Sequence, residues 1–105
     1  MPPNVEDVVM EDVSYSLASR CVNYLERYTS QLDREANQHM KEWAACIEEN
    51  NMDSLLEIAQ SLEFIYADAK SLNEIQSIDL VWRRSQIIID HISSGFQTFS
   101  SLVET

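Results

Sequence analysis

Along residues 21–47 apolar side chains return every three or four positions, at Cys21, Leu25, Tyr28, Leu32, Ala36, Met40, Trp43 and Ile47. That spacing puts them on one face of an α-helix and predicts a first helix over about 8–49. Leu25, Ala36 and Ile47 recur every eleven residues, as do Cys21, Leu32 and Trp43. A period of about 3.67 suits a straight bundle helix better than a left-handed supercoil. Uninterrupted, the helix would span about 60 Å. A bend near "YTSQL", where Thr29 and Ser30 compete for backbone hydrogen bonds, would divide it in two.

The stripe then changes period. Leu55, Leu62 and Ala69 repeat every seven residues, interleaved with Ile58, Ile65 and Leu72. This predicts a second helix over about 53–76, antiparallel to the end of the first because the connection between them is short. In that connection, "ENNMDS" at residues 49–54, Asn50 and Asn51 are suited to end one helix. Asp53 or Ser54 would cap the next, with Glu57 completing a capping box on Ser54. A weaker break falls in "IQSIDL", where Ser77 or Asp79 either starts a third helix, over about 78–103, or sits on the surface of a continuous one. Between Pro3 and Gly95 there is no proline or glycine, which argues against hairpin turns and strands. The expected fold is all-α: an antiparallel bundle of three or four helices with a long first helix, or a long α-hairpin. A flexible acidic arm over residues 1–7 would precede one domain over 8–105.

The third segment carries an unusual stretch, "LVWRRSQIIIDHI", from Leu80 to Ile92. On a helix, Ile78, Val81, Trp82, Ile88, Ile89 and Ile92 form one broad face, prolonged by Phe96 and Phe99, while Leu80 and Ile87 fall outside it. Three successive isoleucines sweep about 200° of a helix, so one thin neighbour cannot cover them all. Either this is the central helix of the monomer, or part of it is left for another chain. The candidate partner-binding residues are Trp82, Arg83, Arg84, Ile87, Ile88, Ile89, Phe96 and Phe99. Arg83 and Arg84 point away from the apolar face, either as solvated residues tempered by Asp79 and Asp90 or as acceptors of acidic side chains from another helix or subunit.

Charge narrows the choice of partner. Eighteen acidic against seven basic side chains give a net charge of -11, which repels nucleic acid and anionic lipid. The expected partner is another protein, with a basic or apolar surface, and a homodimer is the other assembly considered. Four of the cations, Arg20, Arg27, Arg34 and Lys41, recur every seven residues, and none has an acid four positions before it. Acidic rows follow on the next helix, Glu57, Asp68 and Asp79 in one and Glu63 and Glu74 in another. Packing the basic row against an acidic one would set helix register within the chain or between chains. The first residues hold no basic segment followed by an apolar run, and no stretch is long and apolar enough to span a bilayer, so a cytoplasmic setting is expected. Cys21 and Cys46 fit reduced core thiols.

Chemistry finds little support. Glu35, His39 and Cys46 can share a helical face, but a zinc site needs about four ligands and His91 is distant in sequence. The paired Glu-x-x-His motifs of di-iron bundles are absent, with Ala36 and Ile88 three positions before His39 and His91. One glycine allows no phosphate-cradling loop. The expectation is a non-catalytic protein without cofactor or metal. It would dock on a protein partner as inhibitors, immunity proteins or chaperones do; the alternative is a structural subunit that self-assembles through its C-terminal helix.

Overall fold

The computed structural model describes residues 5–104, with side chains from 15 to 103. Three helices make up the fold: α1 (Val5–Glu49), α2 (Met52–Asn73) and α3 (Asp79–Glu104). All three pack against one another, and among the described residues there is no strand. Of the expected acidic arm, residues 1–4 lie outside the described residues and residues 5–7 belong to α1.

α1 runs unbroken through the "YTSQL" stretch. Thr29 Oγ1 donates to the Leu25 carbonyl (2.6 Å) and Ser30 Oγ to the Glu26 carbonyl (2.9 Å), so both hydroxyls bond back into their own helix without ending it. Its end is a Schellman turn: Asn50 takes the left-handed conformation at φ 56°. The Asn51 amide donates to the Cys46 carbonyl (3.0 Å) and the Asn50 amide to the Ile47 carbonyl (3.3 Å). Asparagine does here what glycine does in most such turns, since it tolerates positive φ better than other side chains. Asn51 then also caps α2, its Oδ1 accepting from the Ser54 amide (3.3 Å). The cap therefore falls earlier than expected from Asp53 or Ser54. With Ser54 in the third helical position, Glu57 is too far along to close a capping box.

α2 returns antiparallel to α1, and α3 turns back again to run parallel to α1. The corner between α2 and α3 is tied by Asn73, whose Nδ2 donates to the Trp82 carbonyl and to Ser85 Oγ, both at 3.0 Å. The break in "IQSIDL" is real, and α3 starts at Asp79 with the Trp82 amide donating to the Ile78 carbonyl (3.0 Å). Leu62, Val81, Ile88 and Ile92 are fully buried at the centre. At the closed end Trp43 meets Phe96 and Phe99 edge to face, with centroids 5.0 and 5.2 Å away. At Gly95 the terminal methyl of Met40 occupies the space that a Cβ would take, so α3 meets a flexible side chain of α1 there.

The helices are unequal, and that decides the shape. Leu25 is the first α1 residue that packs against the core. Residues 5–24 extend past the ends of α2 and α3, about 30 Å of helix. The molecule accordingly measures 76 × 20 × 14 Å.

Candidate interaction surfaces

The projecting part of α1 exposes large side chains that no other element of the chain covers. Tyr15 is 79% exposed, Leu17 51% and Tyr24 67%, and Cys21 is exposed as well. Leu17, Cys21, Tyr24 and Tyr28 follow at intervals of four, three and four, and so line one helical face. Tyr24 stacks on Tyr28 with centroids 6.2 Å apart and rings 13° from parallel. Tyr28 Oη donates to Asp68 Oδ2 on α2 at 2.5 Å. The stripe thus runs directly onto the seam between α1 and α2, and it continues beyond the point where α2 stops.

Among the described residues, that seam holds the one strong titration effect. The hydrogen bond to Asp68, then burial, then the negative charge of Asp68 push the Tyr28 hydroxyl up to about 12 from 10.0. All three oppose the phenolate, which would lose its donor role beside a carboxylate. Further along α1, Glu42 is held below the usual carboxylate range, first by the Gln38 amide and then by His39. Tyr28, Glu35, His39, Ser61 and Asp68 share a groove of about 300 Å³ between α1 and α2. Its polar groups are not joined as a nucleophile and base would be. Ser61 Oγ donates to the Glu57 carbonyl, and His39 Nδ1 faces Glu42 Oε2 at 3.2 Å. Among the described residues no three histidine, cysteine, aspartate or glutamate side chains gather as metal ligands, and no helix is long and apolar enough to cross a membrane.

No family model, curated protein or solved structure matches the chain. Its surfaces must therefore be read from their own chemistry.

The residues marked on α3 divide between core and surface. Ile88 (0% exposed) and Ile89 (8%) are core and present almost no surface to a partner, while Phe96 and Phe99 pack half-buried against Trp43. The buried line is Val81, Ser85, Ile88 and Ile92, at intervals of four, three and four. Trp82, expected on the same face, sits at its edge level with the last residue of α2 and is 40% exposed. Ile87 lies well away from the buried line and is 59% exposed, as its position outside the stripe implied. The isoleucine run is therefore covered from two sides by α1 and α2, and its one outward member is Ile87.

The charged residues also part company. Arg83 Nη2 pairs with Asp79 Oδ2 at 2.8 Å in an exposed i,i+4 bridge. Arg84 turns the other way and donates to Ser30 Oγ on α1. The expected meeting of basic and acidic rows within the chain does not occur. Among the described residues the only ion pairs are Arg83 with Asp79 and His39 with Glu42, and Asp68 is engaged by Tyr28 instead. Arg27, Arg34 and Lys41 of the basic stripe lie on the α3 side of α1, away from α2: Arg27 and Arg34 line a groove with Leu80 and Arg84, and Lys41 one with His91 and Ser94. Cys21 is likewise corrected: it stands before Leu25, on the part of α1 with no neighbouring helix, whereas Cys46 is buried as expected.

Proposed function

We propose that this is a non-catalytic protein-binding module whose docking element is the projecting half of α1. The observation that carries the reading is a helix that outlasts its own bundle by about twenty residues and keeps Leu17, Cys21 and Tyr24 exposed along one face. An amphipathic helix presenting residues at i, i+4 and i+7 engages a partner by laying that face into an apolar groove. The partner's surface would continue the track that α2 follows along α1, because the stripe passes onto the α1–α2 seam at Tyr28. Charge sets its rim. Residues 15–25 of the arm hold no carboxylate, while the chain as a whole carries a net charge of -11. The partner is a protein with an apolar groove and a basic rim, and the net charge would speed encounter at low salt.

The self-assembling alternative relies on α3, where Ile88 and Ile89 are buried and Ile87 is exposed, so it has a smaller apolar face to offer than the arm. The test is a pair of aspartates on the arm, Leu17→Asp with Tyr24→Asp. Both side chains are exposed, so circular dichroism and melting temperature should hold. The wild-type chain should form a stoichiometric complex on affinity purification from its native source, with an association rate that falls as salt rises, and the variant should lose it. A complex that survives both aspartates, or a wild-type homo-oligomer whose mass by light scattering ignores them, would overturn the reading.

A further inference from the structure

We infer that the groove between α1 and the start of α3 is a receptor for a phosphoryl group, a site separate from the apolar face of the arm. It has a volume of about 470 Å³ and is lined by Arg27, Arg34 and Arg84 together with Ser30, Gln31 and Glu26. Three guanidinium groups against one carboxylate leave the lining at +2 (3 - 1), inside a chain whose net charge is -11. None of the three arginines has an ion-pair partner among the described residues. Asp79 of α3 is taken by Arg83, and Asp68 of α2 is taken by Tyr28.

Arg84 is held in place as well as left without an acidic partner. Arg84 reaches from α3 to the Ser30 hydroxyl, and that hydroxyl in turn donates to the Glu26 carbonyl at 2.9 Å. Arg27 and Arg34 stand two helical turns apart on the same side of α1, flanking Ser30. Arginine forks match the oxygens of phosphate and carboxylate alike. The charge count separates the two ligands. A carboxylate would leave one positive charge uncompensated, whereas a phosphoryl group carries about -1.5 to -2 at neutral pH and offers three acceptor oxygens, one for each guanidinium.

The experiment uses the full chain at low ionic strength and follows arginine Nε–Hε resonances while inorganic phosphate is added to millimolar concentration. A phosphoserine peptide and its unphosphorylated twin are titrated in parallel. Saturable shifts at Arg27, Arg34 and Arg84 are expected, with affinity falling roughly tenfold in Arg27→Gln or Arg34→Gln, and falling also in Ser30→Ala, which releases Arg84. Arg83→Gln should leave the affinity unchanged. Tighter binding of the phosphopeptide assigns the group to a modified protein, and equal binding assigns it to a small phosphate. Absence of saturable shifts, retention of affinity in the Arg27→Gln/Arg34→Gln double variant, or equal binding of the unphosphorylated twin would overturn the site. Since Leu17 and Tyr24 are untouched, the result stands apart from the outcome for the arm.

Discussion

Ile87 and Ile88 are chemically identical neighbours whose surroundings are opposite, and truncating each to alanine tests the placement of α3 directly. Ile88 is fully buried and Ile87 is 59% exposed. Ile88→Ala removes apolar groups from a packed centre and leaves a cavity that the surrounding helices fill only in part, a loss of about 2–5 kcal/mol. Against the roughly 5–15 kcal/mol that holds a small domain together, this is a large fraction. Ile87→Ala gives up little burial, and alanine is the better helix former by a few tenths of a kcal/mol, so the two effects nearly cancel within about 0.5 kcal/mol of zero. Urea unfolding followed by far-UV circular dichroism measures both, and an unchanged slope with denaturant would show that the same surface is exposed in each variant. Similar losses at the two positions would mean that the helix is rotated from the orientation described, and with it the assignment of Ile88 to the core. Ile88→Asp extends the test: it should unfold the monomer, because no partner is available inside the bundle for a buried charge. A folded Ile88→Asp protein of altered mass would place this residue at an interface between chains.

Two further outcomes are expected. The Tyr28 hydroxyl is raised to about 12 from 10.0. A raised folded-state value stabilises the fold fully below pH 10, and that contribution is lost as pH climbs through 12. The stability difference between wild type and Tyr28→Phe, about 1 kcal/mol after allowance for solvent screening, should therefore shrink across that window; a difference that stays constant to pH 12 would count against the Tyr28–Asp68 bond. Amide hydrogen exchange should be faster in residues 15–24 of α1 than in residues 29–46, where tertiary packing protects the same helix. Equal protection along both stretches would show that something already covers the arm in the isolated protein.

The bundle was legible because its signals were local. Continuous apolar spacing from Cys21 to Ile47, the asparagine pair at residues 50 and 51, and the heptads of α2 each point to a helix or its end from a few residues of sequence. Caps were less legible, since Asn51, Asp53 and Ser54 are all competent and the choice rests on which amide the turn brings within reach. The rotation of α3 could not be settled from sequence. A broad apolar face suits Trp82 and Ile88 equally, and only the position of the end of α2 separates them. The arm was readable and was misread: Cys21 has the same spacing as Leu32, so periodicity alone assigns both to a core. The decisive signal was length. A helix of about 42 residues faced by helices of about half that length must leave one end uncovered. Pairing of Arg84 with Ser30 had no local signal, being separated by 54 positions.

Length also explains how such an arm can exist. An isolated helix of about twenty residues without an alanine-rich sequence is marginal in water, because its first turn must be nucleated at a loss of chain entropy. Here nucleation belongs to the bundle. Leu25, Tyr28 and Leu32 are fixed by packing against α2 and α3, and the helix is propagated backwards from them one hydrogen bond at a time. Each added residue gains or loses little, and the valines at 5, 8, 9 and 13 are only fair helix formers. The arm therefore contributes almost nothing to the stability of the bundle, and Leu17 or Tyr24 can be changed without unfolding it. Conversely, a partner that meets the arm finds its backbone already arranged and loses less entropy on binding than it would with an unstructured peptide. Packing is concentrated after Leu25, and the stretch of α1 without a neighbouring helix lies before it, a division that permits the docking face to vary independently of the fold that presents it.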